Sequence, residues 1–325
     1  MINLAAALPL ATPLTLMIDP SGHCNFRCTF CPTGDHALLK DVGRDAGFMS
    51  LNLFSKLIDD LQDFETRPKT CLLHLEGEPL MNKGIARMVA YAKDNWPDMR
   101  VEITTNAALL KPKLSADLIA AGLDHLRVSV EAVDGPGYRA ITKTYHDLNA
   151  IVDHVYQFQI ERNLRGSKCT IHAKIPDTGL SEDDKAQFRA TWAPVADTIN
   201  IDSLFAWSEH PETQLGQTPA TGMDGATIKR EIVCCPSPFK TLAIRWNGAA
   251  LACCADWRGD TQIGDASKQS LREIWEGEPM RQLRLLHLRG ERHKNRACAS
   301  CDYVLGMPAE SDIDRARERL MEVYR

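Results

Sequence analysis

Cys24, Cys28 and Cys31 fall within one short stretch in the pattern C-x-x-x-C-x-x-C. Three thiols this close cannot all pair as disulfides, and they are one short of a closed tetrahedral set. Soft thiolates select zinc, copper(I) or iron–sulfur clusters. A structural zinc site wants a fourth ligand, which His23 or His36 could supply. A second set comes later: Cys234-Cys235-Pro236, Cys253-Cys254 and Cys298-Ala299-Ser300-Cys301. Cys71 and Cys169 lie in strand-like runs and read as buried apolar residues. Eleven cysteines grouped in tight sets point to metal or redox ligation in a reducing, cytoplasmic setting rather than a secreted disulfide framework.

The elements that must position these thiols follow from the hydrophobic periodicity. Leu14 to Ile18 reads as a strand running into the first cysteine loop. Ser50 caps a helix with Leu51, Phe54, Leu57, Ile58 and Leu61 on one face. Strand candidates at Cys71 to Leu75, Val101 to Asn106, Leu126 to Val130, Thr170 to Ile175 and Thr198 to Ile201 then alternate with helices. The helices lie around residues 85–92, 114–121, 148–158 and 181–190. About six strand–helix units favour a parallel sheet with crossover helices, an α/β partial (β/α)6 TIM-like barrel. In such barrels the loops leaving the C-terminal ends of the strands build the site, where the cysteine loop falls.

Composition changes after about Ser203. Residues 209–225 are rich in Pro, Gly, Thr and Gln without a period and read as a linker or a substrate-covering loop. Asn247-Gly248 between apolar runs predicts a hairpin ending at Cys253-Cys254. A charged helix is expected from Ala309 to Tyr324. The expected organisation is an N-terminal arm (1–13), the barrel (14–205), a small cysteine-bearing domain with a hairpin and helices (206–308), and the closing helix (309–325). A net charge of −5 gives no reason to expect nucleic acid or an anionic membrane as partner. No run is long enough to span a bilayer. The basic run from Arg281 through Arg284, Arg289, Arg292 and Lys294 to Arg296 reads as a solvated helix face ahead of a site for a phosphate or acidic substrate group.

The first cysteine loop, with the aromatic Phe30 before its third cysteine, resembles the radical S-adenosylmethionine (radical SAM) superfamily. There three cysteines hold a 4Fe–4S cluster and leave one iron open to SAM. The second set resembles the C-terminal extension of the SPASM and twitch subfamilies. That likeness rests on Cys235-Pro236-Ser237-Pro238, Gly248-x-x-x-x-Cys253, Leu271-Arg272-Glu273-Ile274-Trp275 and the closing C-x-x-C. It implies an auxiliary 4Fe–4S cluster on Cys235, Cys253, Cys298 and Cys301, with Cys234 and Cys254 as adjacent choices. It also implies SAM contacts from Gly77-Glu78-Pro79, which is similar to the family's GGEP motif with Glu76 in place of the first glycine. Thr105, Asn106 and Ser129, at the ends of the next two strands, would meet SAM's carboxylate and ribose. Structural zinc stands beside this reading for both sets.

In family terms the protein would cleave SAM to a 5′-deoxyadenosyl radical that removes hydrogen from a substrate, drawing on an external flavodoxin- or ferredoxin-type reductant. A closed auxiliary cluster suits acceptance of a second electron, hence a two-electron alcohol oxidation with a base taking the hydroxyl proton. Candidate bases are Asp256, then Glu209 or Asp202. Glu131, His172 and Lys174 also sit in or just past strands. Epimerisation would need a hydrogen donor, for which Cys234, Cys254 and Cys169 are spare thiols. With the first cysteine at residue 24, no leader-peptide domain is expected before the barrel. A small polar substrate (a sugar, aminocyclitol or nucleotide-linked sugar) is therefore expected ahead of a peptide. A non-catalytic zinc-binding interaction protein is the reading from another class.

Overall fold

The computed structural model describes residues 3–205, 207, 221–222, 227–228 and 232–325. In chain order the first elements are α1 (Leu4–Ala7), β1 (Thr15–Ile18), α2 (His36–Asp41), α3 (Leu51–Asp59), β2 (Thr70–Leu73), α4 (Ile85–Asn95), β3 (Arg100–Thr105), α5 (Pro112–Ala120), β4 (His125–Ser129), α6 (Gly135–Thr142), α7 (Leu148–Leu164), β5 (Thr170–Asp177), α8 (Glu182–Trp192) and β6 (Thr198–Ser203). The remainder comprises α9 (Ser237–Lys240), β7 (Thr241–Ile244), β8 (Ala249–Leu251), β9 (Gln262–Asp265), α10 (Leu271–Glu276), α11 (Glu278–Leu288), α12 (Arg296–Ala299) and α13 (Arg317–Tyr324). The chain divides into two compact units. One holds Ile18–Asp59 and Thr70–Asp202; the other holds Met1–Met17, Asp60–Lys69 and Ser203–Arg325.

The first unit is α/β of the partial-barrel kind. Strands β2 to β5 run parallel, with Leu73 opposite Ile103, Ile103 opposite Leu126, and Val128 opposite Ala173; β6 lies beside β5. These apolar strand residues are fully buried, as a parallel sheet covered by crossover helices requires. Helix α3 forms as its periodicity predicts: Ser50 Oγ accepts from Leu53 N at 3.1 Å, and Phe54, Leu57 and Ile58 are completely buried. Helix α8 starts with a full capping box, Ser181 with Asp184.

Helix α6 is an element the periodicity does not announce, because Gly135-Pro136-Gly137 reads as a turn. Its start is nevertheless encoded. Asp134 accepts from Gly137 N at 2.7 Å, and the proline stands in the first turn, where it needs no donor.

The second unit contains an antiparallel sheet. The predicted hairpin pairs Ala243 with Leu251 and Ile244 with Ala250, and Gly248 takes the positive φ (+94°) its turn needs. A third strand, β9, joins on the far side of β8. The core of this unit gathers Leu4 and Leu8 with Phe239, Leu285, Leu288, Ile313 and Leu320. The closing helix is shorter than expected. Single 3-10 turns occupy Ala309–Ser311 and Asp314–Ala316, and α13 begins only at Arg317. Residues 209–225 lie almost wholly outside the described residues, and so does the candidate base Glu209. Among the described residues no helix is long and apolar enough to cross a membrane.

Candidate functional site: two thiol centres

In the first unit, the cysteine loop is held in place by backbone. Arg27 N donates to Thr142 O at 2.8 Å and Thr29 N to Ile141 O at 3.0 Å, so the last turn of α6 fixes the middle of the loop. Phe26 is buried edge-on against Tyr138 of the same helix, with ring centroids 5.8 Å apart. Cys31 N closes a turn on Cys28 O at 3.0 Å, and Phe30, between these cysteines, is half-buried. Burial pushes the thiols of Cys24, Cys28 and Cys31 upward, and a thiolate there would be favoured by a bound cation.

The Gly77-Glu78-Pro79 turn reaches this loop directly. Glu78 N donates to His23 O at 2.8 Å. The buried Glu78 carboxylate accepts from Leu80 N (3.0 Å) and Thr105 Oγ1 (2.6 Å) on one oxygen and from Asn106 N (2.8 Å) on the other. Burial lifts Glu78 to about 7 against the pull of these donors. The carboxylate thus ties the end of β2 to the end of β3. Beyond it Ala107 sits at φ 57°, a left-handed conformation held by Thr105 Oγ1 accepting from Ala107 N and Asn106 Oδ1 accepting from Ala108 N, both at 3.0 Å. That bend sets the Asn106 amide 2.9 Å from Asn25 Oδ1 and 3.9 Å from Cys24 Sγ. The Thr105 hydroxyl is engaged on both sides, so it positions its neighbours.

Further along the sheet, Ser129 ends β4 opposite Lys174 of β5. Lys174 Nζ pairs with Asp202 at 2.9 Å; burial raises the Asp202 carboxyl, but the lysine holds it below its ordinary value. His172 Nδ1 lies 2.8 Å from Thr198 Oγ1. Glu131, buried just past β4, is lifted to about 7 by burial, with Lys174 opposing and Glu78 adding to the lift. Two buried polar atoms near the thiols have no partner among the described residues: Asn25 Nδ2 and the Tyr138 hydroxyl. Three thiols with two orphaned donors suit a cluster that carries a polar ligand. Neither histidine near the loop completes a zinc set: the His23 ring lies 5.0 Å from Phe48, and His36 is exposed on α2. Among the described residues no three His, Cys, Asp or Glu side chains gather tightly enough for a single metal ion.

The second unit brings Cys235, Cys253, Cys298 and Cys301 to one cavity, lined also by Asp256, His287, Arg292 and Tyr303. Asn295 caps α12, its Oδ1 accepting from Ala297 N at 3.0 Å, and so presents the closing cysteine pair. Arg292 Nη1 donates to Cys298 O (2.7 Å) and Cys301 O (3.1 Å), clamping the same loop. The basic run is thereby dispersed. Arg284 stacks in the core on Trp275, 4.1 Å from its centroid, while Arg281 and Lys294 pair with Glu278 and Glu291.

The adjacent thiols do not line this cavity. Cys234 is completely buried in the apolar core with Leu4, Leu8 and Phe239, where burial pushes its thiol up. Cys254 Sγ donates to the Tyr303 hydroxyl at 3.7 Å; its hydrogen bonds with Cys253 and then Tyr303 outweigh burial and lower it to about 7. Cys71 in β2 and Cys169, one residue ahead of β5, are both buried, as expected, and burial pushes both up to about 12.

Asp256 is not free to act as a base. Its Oδ1 accepts from Gly259 N (2.9 Å) and Asp260 N (3.1 Å), and its Oδ2 accepts from Thr261 N (2.6 Å) and Thr261 Oγ1 (2.7 Å). These four donors fill the lone pairs of a carboxylate, and the residue organises the loop behind Cys253. The supporting residues Arg44, Tyr138 and His287 carry no spacing signal, since each reaches its site only through the tertiary fold.

Residues 18–161 match the family model of the radical SAM superfamily, and the chain belongs to that superfamily. Residues 234–302 match the SPASM model, an iron–sulfur cluster-binding domain. The protein is therefore a radical SAM enzyme whose cofactors are a 4Fe–4S cluster with SAM and an auxiliary iron–sulfur centre. A GTP 3′,8-cyclase of Heliobacterium modesticaldum is 31% identical over 134 residues, 39% of this chain and 37% of that one. The match thus spans little more than a third of that relative. Among solved structures, BtrN in complex with AdoMet and 2-DOIA aligns over 89% of this chain and 92% of its own, with TM-score 0.56 and 18% identity. SuiB of Streptococcus suis bound to its precursor peptide SuiA aligns over 93% and 72%, with TM-score 0.64 and 16% identity. At these identities the likeness is one of fold.

Proposed function

We propose that the protein is a radical SAM oxidoreductase that oxidises an alcohol of a small polar substrate, such as a sugar, aminocyclitol or nucleotide-linked sugar, to a ketone, one hydrogen leaving the carbon and one proton the hydroxyl. The observation carrying this reading is the set of four thiols lining one cavity: a centre closed by protein ligands has no iron left for substrate and suits electron transfer. In this reading Cys24, Cys28 and Cys31 hold the first cluster, and Cys235, Cys253, Cys298 and Cys301 hold the auxiliary one. When bound, these groups supply a hydrogen-abstracting 5′-deoxyadenosyl radical at the first site and an electron acceptor at the second.

The chain's own residues do the rest. Phe30 and the Gly77-Glu78-Pro79 turn shape the SAM side of the loop, and the backbone there is fixed through the Glu78 carboxylate. Asn106, Ser129 and the orphaned Asn25 amide are the groups available to SAM's polar ends, with Thr105 positioning them. Asp256 gives way to Glu131 as the base for the hydroxyl proton, since burial poises Glu131 near neutrality and its carboxylate is not spent on loop donors. Oxidation is favoured over epimerisation because two of the three spare thiols, Cys169 and Cys234, are buried and do not line the four-thiol cavity. A flavodoxin- or ferredoxin-type reductant in the cytoplasm completes the proposal, with no nucleic acid or membrane partner.

The fold of BtrN, solved with 2-DOIA, accords with a small substrate. The fold of SuiB, solved with a precursor peptide, favours a second reading as a peptide maturase. Anaerobic reconstitution followed by mass spectrometry of a panel of polyols, aminocyclitols and sugar nucleotides tests the choice. Loss of two hydrogens with stoichiometric 5′-deoxyadenosine is the expected result. An unchanged mass with inverted stereochemistry, or turnover of a peptide alone, would refute it.

A further inference from the structure

His287 stands near the end of α11 and is 1% exposed, yet neither ring nitrogen has a partner among the described residues. Leaving a buried polar atom unpaired is costly, and native interiors leave few such atoms. The same ring lines the cavity formed by Cys235, Cys253, Cys298 and Cys301. The backbone around it is already committed, with Gly290 N on His287 O at 3.0 Å. Arg292, which lines the same cavity, spends one guanidinium nitrogen on the carbonyls of Cys298 and Cys301.

We propose that His287 is a fifth protein group of the auxiliary centre, its imidazole N–H donating a hydrogen bond to a cluster sulfur. The inference rests on the assignment of the auxiliary cluster to these four thiols. Four thiolates already satisfy four irons, so the imidazole is a donor and not a ligand. An imidazole carries an N–H in its neutral and its protonated form alike, so the ring can donate. A donor to sulfur stabilises the extra electron of the reduced cluster and raises its potential, as an acceptor requires. His287 is a positioning and tuning residue, since it acts on the cofactor and not on the reacting carbon.

The test uses the full chain carrying Cys28→Ala, which removes the first cluster's signal, with His287 intact or changed to Leu or Gln. Hyperfine EPR spectroscopy in H2O and D2O should detect an exchangeable proton and weak nitrogen couplings in the parent, both lost in His287→Leu. The midpoint potential should fall in His287→Leu and recover partly in His287→Gln, which keeps an N–H. Cluster-free His287→Leu should be at least as stable as the parent, because it removes two orphaned nitrogens. Should the leucine protein hold no iron, the glutamine protein must still keep the exchangeable proton and lose the imidazole nitrogen couplings. Unchanged couplings and potential in a fully loaded leucine variant would overturn the proposal, as would strong nitrogen coupling from direct iron ligation. If Cys298→Ala leaves the iron content of the parent unchanged, the four-thiol assignment itself fails and the inference falls with it.

Discussion

Replacing Gly77 by alanine should damage the first thiol centre more than its size suggests. A Cβ on Gly77 would stand 1.9 Å from Ser21 O, 2.5 Å from His23 O and 2.9 Å from the Ser21 carbonyl carbon. All three are backbone atoms, so no side chain can swing aside. The turn would have to retreat by roughly 1 Å or more to restore even a tight contact. That retreat breaks the 2.8 Å bond from Glu78 N to His23 O, the link between this turn and the residue before Cys24. Overpacking against rigid backbone costs about 1–3 kcal/mol and the lost hydrogen bond about 0.5–1.5 kcal/mol, so a loss of about 2–4 kcal/mol is expected. Urea unfolding of the cluster-free protein measures this, and iron content with SAM affinity reads the damage to the site. Gly43→Ala is the matched control. Gly43 needs its positive φ (+67°) but has nothing within 4 Å of an added Cβ, so that variant should lose about 1–2 kcal/mol and keep its iron and SAM. A Gly77→Ala protein within about 0.5 kcal/mol of the parent, binding SAM normally, would refute the close-approach argument.

Cys253→Ala should drop reconstituted iron from about eight to about four per chain, whereas Cys254→Ala should keep about eight; iron analysis with EPR decides, and the opposite pattern would move the ligand by one residue. Asp256→Asn turns one acceptor oxygen into a donor facing the buried N–H groups of residues 259–261, so it should cost about 1–3 kcal/mol in urea unfolding while leaving the acid limb of the pH–rate profile in place. Loss of activity at unchanged stability would restore Asp256 as the base. In the cluster-free protein, stability should fall as pH rises from about 5 to about 8. Asp19 is lifted to about 8, and Glu78 and Glu131 to about 7, so across that window the fold retains protons that the unfolded chain has released. The penalty is absent below the ordinary carboxylate range and complete above about 8. A urea midpoint that rises over the same range would contradict these environments.

Periodicity and spacing made much of this legible. The parallel strands, the Ser50-capped helix and the Asn247-Gly248 hairpin follow from local pattern, because each element's signal lies within its own residues. What was hidden depends on long-range meeting. The role of α6 was invisible, since carbonyls 141 and 142 serve the cysteine loop through backbone and leave no side-chain signature. Asp256 looked like a base because it follows a cysteine pair; only the fold places four donors on it. Cys234 and Cys235 are adjacent in sequence yet part ways. One enters the core with Leu4 and Leu8 and the other faces the cavity, a division set by the Cys234 N–H bond to Asp314 at 2.8 Å.

Glu76, the residue that departs from the glycine of the family motif, gains meaning from the same kind of long-range meeting. Its carboxylate pairs with Arg44 at 3.0 Å, with the two side chains only 6% and 3% exposed. Arg44 also donates to Thr33 Oγ1 at 3.1 Å, and that hydroxyl donates to Glu76 O at 2.7 Å. Thr33 follows Cys31 by two residues, so the extra side chain binds the exit of the cysteine loop to the turn that carries Gly77. A buried ion pair is costly unless its charges balance. Here a third group completes the balance. Burial and then repulsion by Glu76 lift Asp19 to about 8, so it keeps its proton and leaves one carboxylate against one guanidinium. A glycine at position 76 would take away the ion-pair partner of Arg44 and leave Asp19, no longer repelled by Glu76, as the carboxyl facing the guanidinium. Glu76 and Arg44 are therefore one feature, and the loss of backbone freedom at the motif's first position is offset by a charge-paired clasp on the third cysteine's exit.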